Sequence, residues 1–339
     1  MIIMMILLQI GHHPFSFLLP KPSNKEGASL PTSGFSTSSL CYSSIMPPNT
    51  PSHASSSSSS FAQSLTLDPL GDFVVPSNAI VLSAPSLQNL QEAIESTKEQ
   101  LSTHQSSSQY LLVTDINQAL FDYLEGNGEV IKGVTATIAH NQGQILYKVT
   151  AGAQHSRIIG MFAAIVPIRL FRMGLDPEQG HWETRGSAMT RGNICSKEAD
   201  WSMGPSDPSL TYVPLVFRPS LVLEVGLAES LPQLRHDAQW WYANSGATHE
   251  TKLVVLISVQ STPSYRVDIE VWAEIQAPCC DSQSPFILNQ KVWFENDAVH
   301  RAPLILPFKL LMGREPTGSE SDILLDDQAI RRICTEIRG

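Results

Sequence analysis

The segment Pro219–Ser230, PSLVLEVGLAES, places one carboxylate, Glu224, inside a run that otherwise reads as a buried β-strand. Burying that charge unpaired would cost on the order of several kcal/mol, so it demands a partner. Side-chain alternation sends Leu221, Leu223, Val225 and Leu227 to one face and Val222, Glu224 and Gly226 to the other, where the glycine leaves an opening beside the acid. Upstream, SKEADWS offers Asp200 between Ala199 and Trp201. If the two segments pair as strands, both carboxylates converge on one divalent cation, and hard oxygen donors select Mg²⁺ or Mn²⁺. An ion held in that way lowers the pKa of a bound water and stabilises charge building on a phosphoryl oxygen. The structural alternative is an ion pair between Glu224 and Arg218, Arg235 or Lys252, with Asp200 as a turn or capping residue. Lys197 lies close enough in sequence to assist the pair, although it and Glu198 also read as solvated charges. Glu229 reads as a cap or dipole partner at a helix N-terminus.

Such a pair must be positioned by regular elements. GVTATIAHNQGQILYKVT reads as two strands joined at Asn141-Gln142-Gly143. Next, HSRIIGMFAAIVPIRLFRMGL spaces Ile158, Ile159, Phe162, Ile165, Ile168, Phe171 and Leu175 for a long helix facing a core, kinked at Pro167, with Arg157, Arg169 and Arg172 on its polar side. SLPQLRHDAQWWYANSG predicts a helix with Ser230 as N-cap, Pro232 in its first turn, Gly246 past its end, and Leu231, Leu234, Ala238, Trp241 and Tyr242 buried. KLVVLISVQ and YRVDIEVWAEI are two further strands, the second half-exposed by its alternation, and DILLDDQAIRRICTEI closes the chain as a helix. The mixture predicts an α+β or α/β domain over residues 130–339, with a central mixed sheet flanked by helices. Before it, residues 66–129 read as a peripheral helical segment, in which Leu87, Leu90, Ala93, Ile94, Thr97 and Leu101 form one helical stripe. Residues 1–65 read as a disordered Ser/Pro-rich extension, including HASSSSSS.

Composition narrows the function classes. The chain has 339 residues, 42% hydrophobic and 16% charged, with a formal net charge of -10. Neither half is a basic block, so a polyanionic partner would need a local basic patch or a metal. Five cysteines, Cys41, Cys195, Cys279, Cys280 and Cys334, make an odd number without CxxC spacing, which points to reduced thiols in a cytoplasmic or nuclear protein. The opening MIIMMILLQI is too short to span a bilayer and lacks a basic n-region, so no integral membrane span is expected; a targeting segment and a start at Met46 are the two alternatives for it. The chain carries no GxSxG elbow, HExxH, P-loop or GxGxxG. His140, His155 and His181 default to surface or structural roles, and Trp240, Trp241 and Tyr242 to core packing rather than base stacking.

Taken in order, AQHSRIIGMFAAIVPIRLFRMGL, SKEADWSMGP, PSLVLEVGLAESLPQLRHDAQWWYANSG and KLVVLISV resemble a fungal group similar to the restriction-endonuclease-like family of the PD-(D/E)XK phosphodiesterase superfamily. The resemblance spans Val134 to Ile275, with a weaker echo in LILPFKLLMGREP. It implies a mixed sheet flanked by helices and an active site with an acid on the first long helix, an Asp opening one strand and Glu-x-Lys on the next. Asp200 and Glu224 match the second and third acids. Ser156 stands where an acid commonly follows the His, and Gly226 stands where the lysine would be. The implied function is a Mg²⁺- or Mn²⁺-dependent nuclease-like hydrolase acting on nucleic acid, with Asp200 and Glu224 as metal ligands and Lys197 or Arg235 assisting. The alternative is a catalytically inactive nuclease-fold binding or scaffold protein.

Overall fold

A computed structural model of the chain describes residues 73–103, 108–126, 131–150, 152–192, 195–206, 219–227, 229, 231–244, 250–261, 264–274 and 286–338. All belong to one unit, Ser59–Gly339. The extension 1–65 with Met46, the helix signals Ser230 and Gly246, Arg218, and Cys41, Cys279 and Cys280 lie outside the described residues.

In chain order, β1 (Ile80–Ser83), α1 (Leu87–Ser102), β2 (Tyr110–Thr114) and α2 (Gln118–Gly126) lead into a hairpin of β3 (Val134–Ala139) and β4 (Gln144–Val149). Then come α3 (Gly152–Arg172), β5 (Trp182–Thr184), β6 (Met189–Arg191), β7 (Cys195–Glu198), β8 (Trp201–Pro205), β9 (Leu221–Gly226) and α4 (Leu231–Ala243). The chain continues through β10 (Leu253–Gln260), β11 (Arg266–Glu274), β12 (Phe286–Glu295), β13 (Ala298–His300), β14 (Leu304–Leu306), α5 (Phe308–Met312), β15 (Ile323–Leu325) and α6 (Asp327–Arg338). No helix among the described residues is long and apolar enough to cross a membrane.

The fold is mixed α+β, with mixed sheets flanked by helices, but the strands divide into two large sheets rather than one. The six-stranded sheet runs β1-β2-β4-β3-β7-β6, and the seven-stranded sheet runs β13-β12-β11-β10-β9-β8-β5, beside a β14-β15 ribbon. Each large sheet has one parallel pair, β1 with β2 and β9 with β10; the other pairs are antiparallel. The division follows from β7, which turns at Ala199-Asp200 into β8 and so carries the chain from one sheet to the other. Residues 73–126 are not a peripheral addition. They contribute β1 and β2 to the first sheet, and Leu90, Ile94, Phe121 and Leu124 of α1 and α2 share a core with Ile138, Ile145, Tyr147 and Val149.

Local chemistry explains several boundaries. Ser86 Oγ accepts a hydrogen bond from the Asn89 N–H and caps α1. The β3–β4 hairpin closes on Gly143, whose φ of 59° is open to glycine at no steric cost. α3 runs through Pro167, and its buried stripe is His155, Ile158, Phe162, Val166 and Leu170. Ile168 and Phe171, expected in the core, are exposed: a purely apolar helix face spreads wider than the surface available to bury it.

The two faces of β9 pack as alternation predicts. Leu221, Leu223 and Val225 join the core formed with α3 and α6, where each fully buried side chain contributes roughly 1.5–3 kcal/mol. Val222 joins the core beneath α4. β10 is apolar on both faces because it is covered on both. β11 departs from its expected half-exposure. Asp268, Glu270 and Trp272 are buried because α4 and β12 cover that face and supply Arg235 and Lys291 as charge partners.

Candidate functional site

Asp200 is the last residue before β8, and β8 pairs antiparallel with β9 through Trp201 opposite Leu223. That pairing brings the two sequence-predicted acids together. Asp200 Oδ2 accepts the Val225 N–H at 2.7 Å. Glu224 Oε1 accepts the Trp241 indole N–H of α4 at 2.7 Å, and the Glu224 side chain is fully buried. Both acids face one ammonium, the Lys148 Nζ of β4, at 3.2 Å from Asp200 Oδ2 and 3.4 Å from Glu224 Oε2. They therefore lie on the same side of the sheet.

Lys148 reaches this point because Ile145, Tyr147 and Val149 occupy the other face of β4, where they line the core with α1 and α2. Lys197 of β7 also points here, 2.7 Å from Asp237 Oδ1 on α4 and 3.9 Å from Glu224 Oε1. Glu229 is not a helix-capping charge. It is buried, 3.2 Å from Lys148 Nζ, and accepts hydrogen bonds from the Gln109 amide and the Tyr110 hydroxyl of β2. His155, in the first turn of α3, is buried with Nε2 3.3 Å from Asp200 Oδ2, close but not aligned as a hydrogen bond. The centre thus gathers four carboxylates and two ammonium groups, drawn from both sheets, from α4 and from the connections before β8 and α4.

Arg235 is absent from it. The guanidinium donates to Glu270 Oε2 at 3.0 Å and Oε1 at 2.7 Å, on the far side of α4's buried face. Two residues along the helix, roughly 200° around its axis, carry it away from the side that presents Asp237 and Trp241. Ser156, at the expected position of a helix acid, is exposed. Gly226 has no room for a lysine, since a Cβ there would lie 2.8 Å from Glu229 Cβ and 3.1 Å from Leu234 Cδ1. The buried acid at 229 fills the space that a side chain at 226 would need, and the lysines arrive from the other sheet instead. Gly226→Ala is expected to cost about 1–3 kcal/mol in urea unfolding, as overpacking does; an unchanged midpoint would show that Glu229 can move aside.

Charge and burial set the protonation of the centre. Burial pushes Glu224 up to about 8 against the pull of Lys197 and Lys148. Burial likewise pushes Glu229 up to about 7, against Lys148. Asp200 goes the other way: burial is outweighed by Lys148, His155 and the Val225 N–H, which hold it below the usual carboxylate range. Burial alone would lower the Lys148 ammonium, but Asp200, Glu229 and Glu224 together hold it well above its ordinary value. Outside the centre, burial also raises Glu198 to about 7.

A native carboxyl that titrates above its unfolded value binds a proton which the unfolded chain has already released. Glu198, Glu224 and Glu229 therefore stabilise the fold below about pH 4.5 and lose that contribution as pH rises through about 7 to 8. Asp200 acts only at pH below this window. The unfolding temperature is expected to be lower at pH 8 than at pH 5, with a shallower decline for Glu198→Gln; a temperature rising over that range would contradict the assignment.

The donor set includes two carboxylate oxygens that no hydrogen bond uses. Asp200 Oδ1 is buried with no hydrogen-bond partner, as is Asp237 Oδ2. Hard, ionised oxygen with an unused lone pair is what Mg²⁺ or Mn²⁺ takes. No group of three His, Cys, Asp or Glu among the described residues forms a ready cage, so Asp200 and Glu224 would hold an ion with water or substrate oxygens completing its shell. A cavity of about 30 Å³ adjoins the centre, lined in part by Phe73, Tyr110, Lys148, Lys197, Asp237 and Trp240. It has room for one or two waters.

No family model matches the chain. No curated protein matches it either. Among solved structures, a protein from Anabaena variabilis ATCC 29413 described as "a putative nuclease belonging to DUF820" is similar at 12% identity and a TM-score of 0.37, covering 59% of this chain and 90% of that one. A likeness of that degree carries no argument about fold or activity. By its own geometry the chain is an α+β protein whose two mixed sheets meet at a buried carboxylate–lysine centre.

Proposed function

We propose that the chain is a nuclease-like phosphodiesterase that acts on nucleic acid and depends on Mg²⁺ or Mn²⁺. The observation that carries this reading is the convergence of Asp200 and Glu224 on one cation position, with Asp200 Oδ1 buried and unused. Asp200 and Glu224 hold the ion. When bound, it activates water and offsets charge on the phosphoryl oxygens. Val225 N–H and Trp241 Nε1–H fix the two carboxylates in orientation, so neither must be ordered at the moment of reaction. Lys197, anchored by Asp237, keeps a positive charge within reach of Glu224 and of an incoming phosphate. Arg235 takes no part, being committed to Glu270.

The second reading, a binding or scaffold protein with this fold, is favoured by the closure of the site. Every charged member is buried, and the adjoining cavity is too small for a phosphodiester without movement. Cleavage of plasmid, single-stranded DNA and RNA by the full chain, with Mn²⁺ or Mg²⁺ and with chelator, separates the two. Metal-dependent cleavage reduced at least about 100-fold in Glu224→Gln is expected. Binding of the same substrates without cleavage would favour the scaffold.

A further inference from the structure

We infer that the Lys148 ammonium is the resident counter-ion of the centre and that a divalent cation enters by exchange with it, an inference that rests on the metal-holding reading of Asp200 and Glu224. Lys148 Nζ lies 3.2 Å from Asp200 Oδ2, 3.4 Å from Glu224 Oε2 and 3.2 Å from Glu229 Oε2. The three carboxylates face that ammonium at separations suited to N–H donors, and Mg–O contacts of about 2.1 Å to Asp200 and Glu224 would need the same space. The ammonium and the ion therefore compete for one set of oxygens.

Lys148 can yield this position without disturbing the strands that carry the acids. It stands on β4 in the six-stranded sheet, whereas Glu224 stands on β9 in the other. Its side chain also lines the water-sized cavity shared with Tyr110, Lys197 and Asp237, which is the space into which its ammonium would move. Asp237 Oδ2 is buried without a hydrogen-bond partner and can receive it. Asp200 Oδ1, which no donor engages, is the oxygen that meets the ion first.

The consequence is that Lys148 lowers the affinity for metal while holding the empty site together. If the ammonium leaves the position free one time in ten or less, apparent affinity falls about tenfold or more. The experiment is calorimetric titration of Mn²⁺ into the full chain and into Lys148→Met, with plasmid cleavage measured on both. Binding at least about tenfold tighter in the variant is expected, including the case in which only the variant binds. Equal or weaker binding by the variant would overturn the exchange while leaving the hydrolase reading intact. Tighter binding with cleavage by neither protein would sustain the exchange and sink the hydrolase reading. No binding by either would overturn both. Should Lys148→Met be unfolded without metal, recovery of its far-UV circular dichroism on adding Mn²⁺ supports the exchange, since metal binding then supplies folding free energy, and failure to recover overturns it.

Discussion

Asp200→Asn is expected to fold and to lose divalent-cation binding, whereas Asp200→Ala is destabilised by about 3–5 kcal/mol. The difference comes from what each substitution leaves behind. Asparagine keeps an acceptor for the Val225 N–H at the start of the β8–β9 pairing and keeps the volume. It removes only the charge that attracts a cation, at a stability cost of about 1–2 kcal/mol. Alanine strands the Val225 N–H, takes one of three carboxylates from Lys148 and leaves His155 facing a void. Urea unfolding and Mn²⁺ titration on both variants check this. If Asp200→Asn binds Mn²⁺ as the parent does, the residue is a structural ion-pair partner.

Arg235→Leu is expected to lower stability by about 2–3 kcal/mol and leave Mn²⁺ binding unchanged. Glu270 is completely buried on β11 and receives two hydrogen bonds from the Arg235 guanidinium, one from the Trp272 indole and an ion pair from Lys291. Lys291 remains after the substitution, and the guanidinium is partly exposed, so the loss stays below that of an isolated buried pair. Arg235→Lys recovers little, because an ammonium cannot make the bidentate contact. Arg235→Leu with Glu270→Leu regains part of the loss, as apolar replacement of a buried pair commonly does. A loss of metal binding in Arg235→Leu would return the residue to the centre that its sequence position first suggested.

Much of this architecture could be read from residue order, and the failures have physical causes. Both faces of β9 followed from alternation, and the burial of Glu224 from its surroundings. The same test, a charge within an apolar strand, applies to Lys148 in QILYKV and would have supplied the basic group that Gly226 lacks. Asp237 carries a comparable signal, three residues after Leu234 and four before Trp241 on the buried stripe of α4. Glu229 carries none. Its burial depends on Tyr110 and Gln109, more than a hundred residues earlier, and no local pattern reports such a contact. Arg235 enters the candidate site only through the resemblance, as a cation on the helix after Glu224, and residue order alone does not say that residues 235 and 237 leave that helix in different directions. β11 reads as half-exposed because Asp268 and Glu270 are charged, and it is Arg266 two residues along the same strand, together with the tertiary partners Lys291 and Arg235, that makes their burial tolerable.

The convergence of Asp200 and Glu224 on one cation position is tested most directly by calorimetric titration of Mn²⁺ into the full chain beside Glu224→Gln. One binding event in the parent, absent or at least about 100-fold weaker in the variant, is expected. Equal binding by the two proteins, with both folded, would contradict it.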